Sequence, residues 1–260
     1  MEKSLARERH LSEQLGQTLE AETQLGELRA RIITIVSHEF RTPLSVIYSS
    51  TQLLHTYYDK LPQARRDAVH QRIEEAILYL NNLLKDVTLV DQAQRERIQP
   101  TYQTFAFHEL CQKLAETIMR DVNQPQRVIF EYVDIVDKPV QIDLMLLQQI
   151  VGNLVSNGLK YSERSLPVQV HLWLDGPQLA IEVQDQGIGS PLPEQTKVFE
   201  LFYRATNVDE RQGLGLGLFI VQAISKLMQG RVELESQGKG QGTTFRVYLP
   251  LLPELTSVDT

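Results

Sequence analysis

Apolar residues recur every three to four positions through the first hundred residues, which is the spacing of amphipathic helices. The spacing predicts one long helix over residues 5–57, a break at residues 58–62, and a second helix that begins near Pro62. Proline suits the first turn of a helix because its missing N–H loses no partner there. The apolar stripe of the second helix consists of Val69, Ile73, Ala76, Ile77, Leu80, Leu83, Leu84, Val87 and Val90. We therefore predict a helical hairpin.

The apolar stripes of the hairpin are too extensive for two helices to cover by themselves. We expect two copies of the chain to pair their hairpins in a dimeric four-helix bundle. Packing of the stripes on another domain is the alternative. Before the hairpin, loosely spaced leucines predict a coiled-coil helix over residues 1–27.

From residue 104 onward the pattern changes to short alternating segments rich in β-branched and aromatic residues. Strands are predicted at 128–132, 168–174, 179–184, 231–235 and 243–249, and helices at 107–120, 143–161 and 214–228. Strands and helices do not alternate strictly, which favours an α+β layered sandwich over a parallel doubly wound sheet. The polar stretch 186–213 is typical of a functional lid or a disordered segment. The chain as a whole is predicted to be multidomain, α followed by α+β.

Composition narrows the classes of function. The 260 residues carry 26 Lys and Arg against 33 Asp and Glu, and a net charge of −7 disfavours binding to a nucleic-acid backbone. The sequence contains neither an apolar run of membrane-spanning length nor a secretory leader, so we expect a cytoplasmic protein, with the cytoplasmic part of a larger, membrane-bound protein as the alternative. One cysteine, Cys111, and scattered histidines argue against an internal disulfide and a structural zinc site.

His38 lies on the polar side of the first helix. At 100° per residue it points about 150° away from the centre of the apolar sector. A carboxylate that holds the proton of one ring nitrogen leaves the other nitrogen free as a nucleophile, and Glu39 is the adjacent carboxylate. Neighbouring side chains on a helix diverge, so Glu39 must turn back to meet His38. The alternative is an exposed histidine without a role.

A second group of polar residues is typical of a nucleotide site. Asn153, Asn157 and Lys160 or Tyr161 are spaced to share one helix face, which offers amide oxygens to Mg²⁺ and a cation to phosphates. Asp185 is a candidate acceptor for an exocyclic amine such as that of adenine. Glycines at 187 and 189 allow close approach of the backbone. A solvated helix face and a β-turn after a strand are the alternatives.

Gly213, Gly215 and Gly217 precede a predicted helix whose free N–H groups favour phosphate oxygens. The sequence there contains no Gly-Lys-Ser or Gly-Lys-Thr, which excludes a P-loop. Leu218 stands where a dinucleotide-binding fingerprint requires glycine, which excludes a Rossmann site.

Five segments in the same order resemble the conserved boxes of sensor histidine kinases of two-component signalling. Residues 37–44, Ser-His-Glu-Phe-Arg-Thr-Pro-Leu, resemble the phosphoacceptor box. Asp143, Leu147, Gln149 and residues 152–162 resemble the asparagine box, 185–189 the first glycine box, 199–204 the phenylalanine box and 213–218 the second glycine box. The similarity covers about residues 28 to 250.

The resemblance implies a phosphoacceptor hairpin followed by an α/β-sandwich ATP-binding domain of the Bergerat type. We expect a coiled-coil signalling helix at 1–27, a dimerisation and phosphotransfer domain at 28–95, a hinge at 96–104, a catalytic domain at 105–252 and a tail at 253–260. It also implies a homodimer, an upstream sensor domain outside this chain, and transfer in trans to an aspartate of a response regulator, since 260 residues leave no room for a receiver domain.

The resemblance also assigns roles to residues. His38 is the phosphoacceptor, Glu39 the base, and Thr42 the residue that orients a water for dephosphorylating the regulator. The expected ligands of ATP with Mg²⁺ are Asn153, Asn157, Lys160, Tyr161, Asp185, Gly187, Gly189, Phe199, Phe202, Arg204, Gly213, Gly215, Gly217, Leu218 and Thr243, with Asn157 on the metal. Phe199 and Phe202 order the lid or anchor it in the core, and Arg204 lies near the terminal phosphate.

Asn153 separates related activities. Gyrase-type topoisomerases, mismatch-repair ATPases and heat-shock chaperones carry a carboxylate at the equivalent position to activate water. An amide is not a general base, so the sequence favours phosphoryl transfer over hydrolysis. Departures from the family pattern are Gly158 where alanine is common, Leu214 where a small residue is frequent, and Gln212 where glycine often stands. They leave open a dimeric adaptor that binds nucleotide without transferring phosphate.

Overall fold

A computed structural model gives the fold of residues 33–94, 98–122, 124–133, 138–208 and 214–251. The chain divides into two compact units, residues 1–83 and 84–260. The predicted coiled coil at 1–27, the tail at 253–260 and Gly213 lie outside the described residues. Within the described residues, none of the helices combines the length and apolar character needed to cross a bilayer.

The predicted helical hairpin is confirmed. Helix α1 covers residues 33–57, a 3-10 turn covers Tyr58–Lys60, and helix α2 covers Gln63–Gln94. The carbonyl of Pro62 accepts the backbone N–H groups of Arg65 and Arg66 at 2.9 and 3.1 Å, so the proline lies at the start of α2 as expected. The Arg66 guanidinium stacks 4.7 Å from the ring centroid of Tyr58. This contact closes the turn between the two helices.

Buried positions in the hairpin are seven residues apart, which is the repeat of helices that wind around each other. They are Pro43 and Ser50 on α1, and Val69, Ala76, Leu83 and Val90 on α2. Ile77 and Leu84, which the sequence pattern places in the buried stripe, are exposed in the single chain. The stripe is wider than the surface that one partner helix covers.

The second unit contains all the strands and helices predicted for it, together with two strands that the sequence analysis missed. The elements are β1 (Gln103–Ala106), α3 (Phe107–Asp121), β2 (Val128–Val133), β3 (Pro139–Ile142), α4 (Leu144–Tyr161), β4 (Val168–Asp175), β5 (Gln178–Asp185), α5 (Gly217–Leu227), β6 (Arg231–Glu235) and β7 (Thr243–Pro250). The missed strands, β1 and β3, pair antiparallel with each other. Each has four residues, too few for alternation to mark them.

The remaining five strands form one sheet in the order β2-β4-β5-β7-β6. The pair β2–β4 is parallel and the other three pairs are antiparallel. The core lies between this sheet and helices α3, α4 and α5, where the largest fully buried side chains include Leu114, Leu147, Ile150, Ile181 and Ile220. The opposite face carries ion pairs such as Arg246–Glu182 at 2.6 Å. The predicted α+β sandwich is confirmed.

Two predicted boundaries shift by more than one residue. Helix α5 begins at Gly217 and not at residue 214, because Gly215 has a φ of +69°, which a right-handed helix excludes. Strand β1 takes up Gln103 and Thr104, the last two residues of the segment expected to be a hinge.

Candidate active site

Helix α4 presents the asparagines of the candidate nucleotide site. Asp143 begins the helix as N-cap, with Oδ1 accepting the backbone N–H of Leu146 at 3.0 Å. Its Oδ2 accepts the backbone N–H of Thr101 at 2.6 Å. Asn153 donates from Nδ2 to the carbonyl of Gln149 at 2.9 Å, one turn earlier. The side-chain oxygen of Asn153 is thereby directed away from the helix backbone.

Asp185 ends strand β5 and lies in the interior, with 8% of its surface exposed. Its Oδ1 accepts the backbone N–H of Gly187 at 2.8 Å. Burial raises the pKa of this carboxyl to about 6, while the N–H groups of Gly187 and Thr243 act to lower it. A desolvated carboxylate of this kind gains strongly from one more hydrogen-bond donor.

The glycines of this region allow close packing between elements. A β-carbon on Gly187 would stand 2.6 Å from the carbonyl oxygen of Tyr161, the last residue of α4. The same carbonyl accepts the N–H of Ile188 at 3.2 Å, so the loop after β5 is fastened to the end of α4. A β-carbon on Gly217 would stand 2.9 Å from Oδ1 of Asn153. The start of α5 therefore lies directly against the face of α4 that carries Asn153 and Asn157, which we call the asparagine face.

The segment after β5 is held by polar contacts. Glu194 accepts the backbone N–H and the hydroxyl of Thr206 at 2.9 and 2.6 Å, and the hydroxyl of Tyr203 at 3.0 Å. These bonds lower the pKa of the Glu194 carboxyl. Asn207 donates to the carbonyls of Ile188 and Gly189 at 3.3 and 2.9 Å. The described part of the expected lid is thus an ordered, anchored segment.

The other expected nucleotide ligands fall around the same region. Phe199 is buried and meets Phe245 edge-on at 6.5 Å, whereas Phe202 is partly exposed, so Phe199 is a core anchor. Thr243 pairs with Asp185 across β5 and β7. At the end of α4, Nζ of Lys160 lies 4.7 Å over the ring of Tyr161. Gly189 follows β5, and Arg204 is exposed. Gly215 packs on Tyr203, and Leu218 lies in the first turn of α5.

The histidine of α1 faces outward, with 74% of its side chain exposed. Thr42, one turn further on, is exposed on the same helix. Glu39 turns back toward His38, and its Oε1 lies 3.8 Å from Nδ1 of the imidazole. The other carboxylate oxygen, Oε2, accepts the hydroxyl of Tyr79 on α2 at 2.7 Å. Glu39 is therefore fixed at one oxygen and directed to the histidine with the other.

Two residues that position this site, Tyr79 and Glu194, and the hydrogen bonds of Asp143 were not predicted from the sequence. Tyr79 stands beside the apolar stripe of α2, and its partner on α1 depends on the register of the hairpin, which the sequence does not give. Glu194 meets Thr206 twelve residues away in an irregular segment. The cap bond that Asp143 accepts from Leu146 was also missed, although an aspartate just before a periodic apolar run is a cap signal, and so was the bond that it accepts from the N–H of Thr101.

The residues present fit ATP and Mg²⁺. The buried Asp185 carboxylate offers an acceptor to a purine amine. A β-carbon at Gly187 would collide with the backbone carbonyl of Tyr161, so the glycine allows the loop after β5 to lie close to the end of α4. Mg²⁺ prefers oxygen ligands and takes one or two from protein beside those of phosphates. The side chain of Asn157 lies beside Gly217, and its amide group carries an oxygen of the required chemistry.

Two known families match the chain, one in the helical hairpin and one in the sheet-containing unit. Residues 28–96 match the His Kinase A (phospho-acceptor) domain, and residues 142–253 match the histidine kinase-, DNA gyrase B- and HSP90-like ATPase family. A phosphoacceptor hairpin joined to this type of ATPase domain defines the protein histidine kinases.

Individual relatives belong to the same class. The sensor histidine kinase RcsC of Escherichia coli (strain K12) is 29% identical over 245 residues, which cover 93% of this chain and 25% of RcsC. The autoinducer 2 sensor kinase/phosphatase LuxQ of Vibrio parahaemolyticus is 34% identical over 235 residues, covering 86% of this chain and 27% of LuxQ. Full-length ShkA, solved in complex with AMPPNP, has a TM-score of 0.55 at 26% identity, over 85% of this chain and 45% of ShkA.

The chain spans about a quarter of the length of these curated relatives. The two matched domains and the curated relatives indicate the same family, and the chain belongs to the sensor histidine kinases of two-component signalling.

Proposed function

We propose that this chain transfers the γ-phosphoryl group of ATP to Nε2 of His38. The observation that carries the proposal is the exposed imidazole with the Glu39 carboxylate on its Nδ1 side. Glu39 stabilises the tautomer with the proton on Nδ1, which leaves the lone pair on Nε2. As Nε2 bonds to phosphorus, the bond to the bridging oxygen breaks and its electron pair leaves with ADP. The Nδ1 proton passes to Glu39.

The second unit supplies the nucleotide. Asp185 accepts the purine amine, and the glycine-rich start of α5 offers N–H groups to phosphate oxygens. Asn157 would hold Mg²⁺, which neutralises charge on the phosphates when bound. The complex of the related ShkA with AMPPNP, an ATP analogue, supports nucleotide binding in this fold. Asn153 offers an amide and not a carboxylate, which favours transfer to a side chain over hydrolysis.

The phosphohistidine then passes its phosphoryl group to an aspartate of a response-regulator receiver domain acting in trans. Thr42 lies one turn beyond His38 and is exposed, which suits it to orient water for the reverse task of dephosphorylating the regulator. The related LuxQ is described as a kinase and phosphatase. Residues 96–102, the part of the predicted hinge that precedes β1, act as the hinge between the two domains.

The working form is a homodimer. Leu44, Ile77 and Leu84 expose 52%, 44% and 56% of their surface in the single chain. Apolar side chains on the faces of a helical hairpin are covered when two hairpins form a four-helix bundle. The proposal therefore includes pairing through these faces.

Incubation of the chain with γ-labelled ATP and Mg²⁺ tests the activity, with a His38→Gln variant beside it. We expect label on the wild-type protein that survives alkali, is lost in acid and is absent from His38→Gln. Label retained by the variant would overturn the assignment of His38. Nucleotide binding without label on the wild type would instead support the adaptor. Sedimentation of the unlabelled protein reports the dimer independently.

A further inference from the structure

Glu39 is the only acidic side chain within ion-pair distance of His38 among the described residues, and its geometry is unusual for a helix neighbour. Adjacent side chains leave the helix about 100° apart and normally diverge. A glutamate has three rotatable side-chain bonds, and on an exposed helix it samples many directions. An additional contact is needed to keep its carboxylate on the imidazole side.

Tyr79 provides that contact. Its hydroxyl donates to Oε2 of Glu39 at 2.7 Å across the hairpin, in a partly buried position. Only 25% of the Glu39 side chain is exposed, against 74% for His38. A hydrogen bond to a charged acceptor shielded from water is among the stronger ones in proteins. The bond leaves Oε1 free to face Nδ1.

We propose that Tyr79 is a positioning residue for phosphoryl transfer, whose hydroxyl holds Glu39 where it receives the Nδ1 proton of His38. This inference rests on the proposed autophosphorylation. The present separation of 3.8 Å between Oε1 and Nδ1 is longer than a proton-transfer hydrogen bond of about 2.6–3.2 Å. A tethered carboxylate closes that gap by moving less than about 1 Å, whereas an untethered one must first be ordered.

The variant Tyr79→Phe keeps the ring and removes the hydroxyl. At saturating ATP we expect its labelling rate constant to fall about tenfold, with the KM for ATP unchanged within about twofold, since Tyr79 belongs to the helical unit. Tyr57→Phe is the matched control, because Tyr57 is an exposed tyrosine at the end of α1, and we expect it to label at the wild-type rate.

A double-mutant cycle separates positioning from a general structural role. If Tyr79 acts through Glu39, Tyr79→Phe has no further effect in a Glu39→Gln background. An equal fall in both backgrounds, or a Tyr79→Phe rate equal to wild type, overturns the proposal.

The ring nitrogens of His38 provide a readout that needs no nucleotide. Nitrogen NMR of the wild type is expected to show mainly the Nδ1–H tautomer, and Tyr79→Phe is expected to shift the population toward Nε2–H. Equal tautomer populations in the two proteins overturn the proposal even if Tyr79→Phe is less stable. If the wild-type protein is not labelled, the proposed autophosphorylation is wrong. If the wild type is labelled and Tyr79→Phe is labelled at the same rate, only the role of Tyr79 is wrong.

Discussion

The side-chain oxygen of Asn153 lies 2.9 Å from the point where a β-carbon on Gly217 would stand. Asn153 cannot easily yield, because its Nδ2 is bonded to the carbonyl of Gln149 at 2.9 Å. The two residues belong to the asparagine box and the second glycine box. Their contact fixes the start of α5 against α4, and this is where the phosphates of a nucleotide are expected.

A methyl group at Gly217 should therefore displace either Asn153 or the start of α5. We expect Gly217→Ala to raise the Kd for an ATP analogue about tenfold, equivalent to about 1.4 kcal/mol. Titration calorimetry measures the change. Gly152→Ala is the matched control in α4, since its β-carbon would meet Cδ1 of Ile118 at an ordinary 3.5 Å. Unchanged affinity in Gly217→Ala would show that the contact does not support the site.

Much of this architecture follows from the sequence because the elements are long and regular. The period of apolar residues predicted the start of α2 and both ends of α4, and alternation predicted both ends of β4, β5 and β7, each within about one residue of the observed position. Each of these segments buries one face, so its apolar residues recur at the period of a helix or a strand for as long as the element continues. The orientation of His38, exposed on the polar side of α1, follows from the same rotation.

The missed features depend on contacts between distant residues. Strands β1 and β3 are stable as a pair, with Gln103 opposite Ile142, and neither is long enough to be recognised alone. The bond between Tyr79 and Glu39 joins residues forty positions apart, and a shift of one residue in the hairpin register would remove it. The start of α5 depends on the backbone of Gly215, which a hydrophobic pattern does not describe. Long-range register and backbone conformation thus limit what the sequence predicts.

Burial of Asp185 predicts a pH dependence of stability. Its pKa is about 6 in the folded protein against an ordinary value of 3.8, so between these pH values the folded state binds more protons than the unfolded state. The favourable contribution is complete below about pH 4 and is lost as pH rises through about 6, by up to about 3 kcal/mol. Urea unfolding of wild type and Asp185→Asn across this range measures it. Because Asp86, whose pKa is also about 6, is present in both, the difference isolates Asp185. A pH-independent difference would contradict the assignment.

Nucleotide affinity should depend on pH in the opposite direction. In the proposed complex, a purine amine donates to the ionised carboxylate of Asp185 and so favours loss of its proton. We expect affinity for an ATP analogue to fall as pH drops below about 6, by up to about tenfold per unit, with proton release on binding. Calorimetry in two buffers of different ionisation enthalpy measures that release. Asp175→Asn, an exposed position at the end of β4, should keep the dependence, and Asp185→Asn should bind weakly at every pH.

Asp143 joins the first turn of α4 to residue 101, and removing it should destabilise both. Asp143→Ala loses the bonds to the N–H groups of Leu146 and Thr101, and the loss of an N-cap alone costs about 1 kcal/mol. Because the carboxylate is buried, we expect a total loss of about 2–3 kcal/mol in urea unfolding. Asp143→Asn retains one accepting oxygen for the cap and should lose less.

Hydrogen exchange distinguishes the two bonds of Asp143. The amide of Thr101 should exchange faster in both variants, because the side-chain nitrogen that Asp143→Asn introduces cannot accept its N–H, while the amide of Leu146 should be exposed in Asp143→Ala alone. Asp121→Ala is the matched control, since its ion pair with Arg120 is exposed and worth little. If Asp143→Ala and Asp121→Ala unfold at the same urea concentration, the cap is not what stabilises α4, and the order of the asparagine face must come from its packing against α5.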